Sequence, residues 1–157
     1  MLLTCNLIMI AKNISITSAN PVQRAAIIRL LEAAKLPVAD LPADLTHFVV
    51  ATVGNRLVGV VGLEIYSNYG LLRSLVVDQA YRNQQIAEKL IDRLEAQTKQ
   101  LQLSGIYLLT ETATEYFSKK GFQTIQRNEV PAALQQSSEF SHVCPVSAIV
   151  MKKTVAI

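Results

Sequence analysis

The sequence predicts an α/β or α+β fold, in which helices flank both faces of a mixed central sheet of about seven strands. Two observations support this prediction. Short β-rich runs alternate along the chain with segments whose apolar residues recur at helical spacing. Half of the 157 residues are hydrophobic and only 17% are charged, which is typical of a chain that buries a sizeable core.

The first half of the chain predicts a strand, a helix and then three antiparallel strands. The run ISITSA at 14–19 is β-rich, and the helix after it begins with Asn20 as N-cap and Pro21 at its first position. We expect Pro37 to end this helix. Two β-rich runs then flank a Gly-Asn turn, and a third, LLRSLVV, follows the turn SNYG. Because LLRSLVV is apolar on nearly every position, we expect it to be a central strand covered on both faces.

The second half predicts a long helix, then a strand, a short helix and two more strands. Apolar residues recur at helical spacing from Gln84 to about Leu103. GIYLLT follows as a strand, ATEYFSKKGF as a helix ended by Gly121, and FQTIQR as the next strand. PAALQQS is a helical turn, and CPVSAIVMKKTV supplies the last strand. The residues of the long helix predicted to face the core are Ile86, Ala87, Leu90, Ile91, Leu94 and Leu101.

No repeat or linker-like stretch interrupts the sequence, which predicts one domain over residues 1–157. The apolar run LLTCNLIMIA lies within residues 1–12. It is too short to span a bilayer and lacks the preceding positive charge of a signal peptide. We interpret residues 1–12 as an N-terminal extension; the alternative is that residues 1–8 come from an upstream start codon and Met9 is the true first residue.

The bulk charge and the scarcity of metal ligands argue against several classes of function. The net charge is +3, without a Lys/Arg block longer than a pair, which argues against a nucleic-acid-binding protein. Cys5 and Cys144 are far apart, and no C-x-x-C motif or His/Cys cluster predicts a metal site. His47 and His142 have no neighbouring carboxylate and are interpreted as structural residues. We therefore expect a cytoplasmic protein that binds no metal, nucleic acid or membrane.

The junction between the LLRSLVV strand and the long helix is a candidate binding site. The strand ends at Val77, and the helix begins near Gln84 after a short connector. Unpaired backbone N–H groups and the positive end of the helix dipole suit a phosphate or pyrophosphate. Every strand-loop-helix junction has such an end, so a solvated helix start without a ligand is the alternative.

The sequence at this junction resembles the acetyl-CoA signature of the GNAT acyltransferase superfamily. LLRSLVVDQAYRNQQIAEKLIDRLE is similar to a strand ending in L-x-V, followed by the hexad Q/R-x-x-G-x-G/A and an amphipathic helix. LLTETATEYFSKKGF is similar to the second signature region of that superfamily. LPVADLP, GVVGLEIYSNYGLLRSLVV, YLLTETA and CPVSAIVMKK resemble its arsenic-resistance N-acetyltransferase-like subgroup. The resemblance implies an acetyl-CoA-dependent N-acetyltransferase with a role in detoxification, acting on a small amine such as an amino acid or a toxic amino-acid analogue.

The resemblance also implies which residues hold acetyl-CoA, the expected cosubstrate. The pantetheine arm would pair with the backbone of residues 75–77, and the hexad would hold the pyrophosphate. Asn83 and Gln85 stand where the superfamily has glycine; we expect Asn83 to accept a positive φ and Gln85 to need ordinary helical geometry. The implied coenzyme contacts are Leu75, Val76, Val77, Arg82, Asn83, Gln84, Gln85, Ile86, Ala87 and Thr110.

Two charged residues inside apolar strands are the predicted substrate-binding and catalytic groups. Direct attack by an amine requires a base, because an alkyl ammonium is only about 0.1% neutral at pH 7. Glu64 in GVVGLEIY is the predicted base, with a strand-end charge facing water as the alternative and Glu111 as a weaker candidate. Arg73 in LLRSLVV is predicted to bind a substrate carboxylate, with a structural pairing to Glu64 as the alternative.

The acid that meets the departing thiolate is less well defined. The superfamily's tyrosine position holds Phe117 here, so the neighbouring Tyr116 is the predicted acid, and a half-buried amphipathic tyrosine is the alternative. Gln85 and Phe117 leave a second function open, that of a non-catalytic acyl-CoA-binding or sensor module. A structural homodimer that uses the last strands is a third reading.

Overall fold

The structure, a computed structural model, describes residues 13–143 and 147–155. The interpreted N-terminal extension, Cys5, Cys144 and the side chain of His142 lie outside the described residues.

The strands and helices follow the predicted order. The strands are β1 (Ile14–Ser18), β2 (Val49–Val53), β3 (Arg56–Tyr66), β4 (Tyr69–Val77), β5 (Gly105–Thr110), β6 (Gln123–Ile125) and β7 (Ile149–Thr154). The helices are α1 (Arg24–Ala33), α2 (Ile86–Gln100), α3 (Thr114–Lys119) and α4 (Ala132–Gln135). In the described residues, the seven strands form one mixed sheet in the order β1-β2-β3-β4-β5-β7-β6, which confirms the predicted fold class.

Contacts along the chain divide it into two compact units. Of the described residues, unit 1 comprises 13–62 and 74–94, and unit 2 comprises 63–73, 95–143 and 147–155. Within the described residues, no helix has both the length and the apolar character needed to cross a membrane.

In unit 1, the strands β1, β2 and β3 pair antiparallel, and α1 covers one face of them. Asn20 caps the turn before α1, as predicted: its side chain accepts a hydrogen bond of 3.2 Å from the Gln23 N–H. The buried core of this face contains Ile27, Leu31, Leu41, Leu45, Phe48, Val50, Val60 and Val76.

The opposite face of these strands is covered by α2. A Cβ added at Gly59 would lie 3.1 Å from Leu90 and 3.2 Å from Ile86, both of which project from α2. Val60, the next residue of β3, packs in the α1 core instead. Because successive strand residues point to opposite faces, α1 and α2 lie on opposite sides of β3. The prediction of helices on both faces therefore holds in unit 1.

The predicted C-terminal ends of α1 and of α2 both need correction. Pro37 does not end α1, since the helix stops at Ala33 and Lys35 already has a left-handed φ of 59°. The chain turns there because the Leu36 N–H bonds back to the Leu31 carbonyl at 2.9 Å, a typical helix-ending bond.

The helix α2 ends at Gln100 rather than near Leu103. Its core row is as predicted, with Ile86, Leu90, Ile91 and Leu94 buried. Leu101 was predicted to join this row and is instead 39% exposed, because it follows the last helical residue.

In unit 2, β5 is a central strand with a parallel and an antiparallel neighbour. It pairs in parallel with β4 from Tyr69–Gly105 to Leu71–Tyr107, and antiparallel with β7, which also pairs with β6. Gly121 ends α3 with a φ of 93°, as predicted. The buried core of this unit contains Leu71, Tyr107, Val130, Leu134 and Val150.

Candidate active site

Glu64 and Arg73, the two charges predicted inside apolar strands, form an ion pair in unit 2. Arg73 Nη1 donates to Glu64 Oε1 at 3.0 Å. The Arg73 side chain is completely buried, and that of Glu64 is 16% exposed. The pairing is the structural alternative that the sequence left open for Arg73, whereas contact with a substrate stays a prediction.

Two residues that sequence reasoning missed also belong to this cluster. The Tyr66 hydroxyl donates to Glu64 Oε2 at 3.1 Å, and Glu139 Oε1 lies 3.7 Å from Arg73 Nε, with its side chain 8% exposed. Strand periodicity could have indicated Tyr66, because residues i and i+2 of β3 share a face. Glu139 begins a π-helical turn, Glu139–Val143, far along the chain, and no local pattern indicated it.

The charges of this cluster explain why its members can be buried. A guanidinium taken out of water needs anionic or carbonyl partners, since an unpaired buried charge is strongly destabilising. Glu64 and Glu139 together carry two negative charges against the single positive charge of Arg73. The positive guanidinium of Arg73 thus faces a carboxylate at two of its nitrogens. Of the two carboxylates, Glu64 is the more accessible, with its side chain 16% exposed against 8% for Glu139.

The predicted coenzyme strand and loop lie in unit 1. Val76 is buried, and the Val77 carbonyl accepts a hydrogen bond of 3.2 Å from Arg82 Nε. The Asp78 carboxylate accepts from the Ala80 N–H at 2.9 Å and fixes the turn between them. The structure thus brings the Arg82 side chain and the Val77 carbonyl together, whereas their contact with a coenzyme stays a prediction.

The backbone of the loop before α2 is as expected at Asn83 but not at Gln85. Asn83 and Gln85 have φ values of 65° and 63°, in the left-handed region that glycine favours. The expectation that Gln85 needs ordinary helical geometry is therefore wrong, and α2 begins one residue later, at Ile86. The Gln85 carbonyl accepts the first helical hydrogen bond, 3.1 Å from the Lys89 N–H.

The side chains of this loop differ in their exposure. Arg82, Asn83 and Gln85 are exposed, Ile86 is buried and Ala87 is half-buried. Gln84 Oε1 is buried and accepts no hydrogen bond within the described residues. The loop therefore offers a buried acceptor and a backbone already in the conformation that lets N–H groups approach an anion.

The remaining predicted residues lie around the β5–α3 junction of unit 2. Thr110 Oγ1 accepts from the Ala113 N–H at 3.0 Å, so its own hydroxyl proton stays free to be donated elsewhere. The Tyr116 hydroxyl is buried, and its ring stacks edge-on against Phe117 at 5.3 Å. Glu111 is exposed. Within residues 13–143 and 147–155, no group of three or more His, Cys, Asp or Glu side chains could hold a metal ion.

Comparison with known families identifies one domain type. The model of the acetyltransferase (GNAT) domain family matches residues 44–124, just over half of the chain. The matched residues include β3, β4 and the loop before α2.

Two curated relatives carry the same name, amino-acid acetyltransferase. The Mycobacterium tuberculosis protein is 33% identical over 78 residues, which are 49% of this chain and 44% of the relative. The Edwardsiella ictaluri protein is 30% identical over 66 residues, which are 42% of this chain and 15% of the relative. The chain thus spans less than half the length of the curated relatives that it matches.

A solved structure supports the fold over nearly the whole chain. The N-acetylglutamate synthase of Neisseria gonorrhoeae, complexed with coenzyme A and N-acetyl-glutamate, superimposes with a TM-score of 0.76 and is 19% identical. The match covers 92% of this chain and 35% of that chain.

Proposed function

This chain belongs to the GNAT family of acetyltransferases, and we propose that it transfers the acetyl group of acetyl-CoA to the amine of an amino acid or a closely related small molecule. The names of the two curated relatives support an amino-acid acceptor. The coenzyme A complex of the structural neighbour supports acetyl-CoA as the donor. Within this proposal, a toxic amino-acid analogue, as in the arsenic-resistance-like subgroup, is the finer hypothesis for the acceptor.

The observation that carries the proposal is the oriented carboxylate of Glu64. Arg73 and Tyr66 each take one hydrogen-bonding position on its two oxygens. A carboxylate has about four such positions, so each oxygen can accept one further hydrogen bond. Because the side chain is 16% exposed, a water or an ammonium group can reach it. Glu64 is thus suited to take a proton from the substrate ammonium, directly or through one water.

The backbone around β4 and the loop before α2 is suited to hold the donor. We assign the pantetheine arm to Leu75, Val76 and Val77, and the pyrophosphate to the N–H groups of residues 82–87. The left-handed φ at Asn83 and Gln85 supports this role, because left-handed residues recur in the backbone nests that bind anions through N–H groups. Acetyl-CoA supplies an activated thioester when it is bound.

Four groups of this chain take part in the proposed reaction. Glu64 accepts the ammonium proton, so that the neutral amine nitrogen can form a bond to the acetyl carbonyl carbon. A backbone N–H near Val76 donates to the oxyanion that develops on the carbonyl oxygen, an interaction worth about 3 kcal/mol in other enzymes. Tyr116, with water as the alternative, supplies the proton for the sulfur as the carbon–sulfur bond breaks. The nitrogen loses its second proton as the amide forms, and this proton replaces the one that left Tyr116, while the proton held by Glu64 passes to solvent. Thr110 would donate its hydroxyl proton to the coenzyme.

Arg73 is better supported as a partner of Glu64 than as a ligand of the substrate. Its side chain is completely buried and two carboxylates already face it. Binding of a substrate carboxylate would require one of these carboxylates to leave. The geometry therefore favours the pairing, and the orientation of Glu64 is its direct consequence.

A panel of acceptors tests the proposed function. The chain is incubated with acetyl-CoA and each of the common amino acids, with the decarboxylated amine of each as a matched comparison. Thiol release and a mass increase of one acetyl group are recorded. We expect N-acetylation of at least one amino acid. Calorimetric binding of coenzyme A without turnover across the panel would instead support the non-catalytic acyl-CoA-binding alternative.

A further inference from the structure

We infer that Glu139 is a positioning residue for the acetyl transfer, which orients the base Glu64 through the guanidinium of Arg73. This inference rests on the proposed function, because it assumes that Glu64 accepts the substrate proton. It adds a residue that lies 75 positions from Glu64 in the sequence and in another element of unit 2.

The geometry places Arg73 between the two carboxylates. Its Nη1 contacts Glu64 at 3.0 Å, and its Nε lies 3.7 Å from Glu139. A guanidinium is planar, so attraction at two different nitrogens fixes both the position and the tilt of its plane. Glu139 is a second carboxylate partner and acts at a different nitrogen from Glu64. Glu139 therefore restrains the donor that aims Glu64.

The backbone that carries Glu139 is itself anchored. Ser137 is only 2% exposed. Its carbonyl oxygen accepts two hydrogen bonds from Ser141, one from the N–H at 3.0 Å and one from the hydroxyl at 2.7 Å. The Ser137 hydroxyl also accepts a longer bond, 3.4 Å, from the Phe140 N–H. These hydrogen bonds restrain the backbone on both sides of Glu139, so its carboxylate is held in a defined position relative to Arg73.

The energetics favour a positioning role over a purely stabilising one. Burying an ionic triad costs desolvation energy that the attraction between its members only roughly offsets. The net gain in folding stability is therefore small, whereas the gain in orientation is specific to Glu64. A base that is held in place loses less freedom when the reactants assemble, and this raises the rate rather than the affinity.

A double-mutant cycle tests this inference. Glu139→Gln removes the charge and keeps the shape, and we expect it to lower kcat by about tenfold while the KM for acetyl-CoA stays unchanged. Glu139→Asp keeps the charge, and its kcat should lie between those of the wild type and Glu139→Gln. In a Glu64→Gln background, Glu139→Gln should cause no further loss, because the group through which it acts is gone. Glu32→Gln, at an exposed position of α1, is the matched control for loss of a carboxylate and should keep full activity.

The outcomes separate the inference from the proposed function. If Glu139→Gln lowers kcat equally in both backgrounds, or leaves kcat unchanged, the inference is wrong. If Glu64→Gln itself keeps full kcat, the proposed base is wrong and the inference falls with it. Melting curves establish that each variant is folded. If Glu139→Gln does not fold, Glu139→Asp takes its place in the cycle. We then expect Glu139→Asp to lower kcat partly in the wild-type background and not to lower it further in the Glu64→Gln background.

Discussion

The left-handed conformation of Gln85 makes a prediction that the residue type alone would not suggest. Replacing Gln85 by glycine should stabilise the folded chain, although glycine usually destabilises. An ordinary residue at a φ near the observed 63° costs about 1–2 kcal/mol, and glycine does not bear this cost. The greater freedom of glycine in the unfolded chain offsets about 0.5–1 kcal/mol of the gain. The net stabilisation expected is therefore about 1 kcal/mol.

Thermal unfolding measures this effect, with Gln85→Ala as the matched control. For a chain of this size, about 1 kcal/mol corresponds to an increase in Tm of about 2–4 °C. Alanine removes the same exposed side chain but keeps the Cβ, so its Tm should stay within about 1 °C of the wild type. If the glycine variant melts no higher than the alanine variant, the reasoning about backbone strain is wrong.

The same variant tests whether the missing glycine weakens coenzyme binding. The loop already holds the conformation that glycine favours, and the Gln85 side chain is exposed. We therefore expect calorimetry to give Kd values for coenzyme A that agree within about threefold between the wild type and Gln85→Gly. A tenfold or greater gain in affinity would show that the side chain obstructs the site.

Two further predictions concern packing and pH. Gly62→Ala should lower the free energy of unfolding, measured in urea, by about 1–3 kcal/mol, because a Cβ there would lie 2.5 Å from the Phe48 ring. The control Gly105→Ala has no neighbour closer than 3.5 Å and should cost little. Equal losses in the two variants would contradict this reasoning. Hydrogen bonds from the Thr46 side chain and backbone lower the pKa of Asp44 below its ordinary value of 3.8. The stability that Asp44 contributes is therefore fully present above pH 3.8 and is lost as the pH falls through the lowered pKa. Asp44→Asn should thus make the free energy of unfolding fall less steeply below pH 3.8. The same fall in the wild type and the variant would contradict this.

The sequence was sufficient for the order of strands and helices because local signals mark their boundaries. A Gly-Asn turn separates β2 from β3, Asn20 caps the start of α1, and Gly121 ends α3. Glu64 and Arg73 were also accessible to sequence reasoning, because a charge inside an apolar strand must find a partner. Their pairing was one of the alternatives considered.

The features that could not be predicted from the sequence depend on long-range contacts or on backbone conformations that a residue type rarely adopts. Glu139 reaches Arg73 only through the tertiary fold, so no spacing rule connects them. Lys35 and Gln85 occupy the left-handed region, which propensity assigns to glycine or asparagine. For that reason the end of α1 and the start of α2 were both misplaced.

The central claim is that Glu64 is the base of an acetyl transfer. The most direct test is kcat for the wild type and Glu64→Gln at saturating acetyl-CoA and acceptor, alongside the Kd for coenzyme A. We predict that kcat falls by about 100-fold or more, the usual contribution of general base catalysis, while the Kd stays unchanged. An unchanged kcat would contradict the claim.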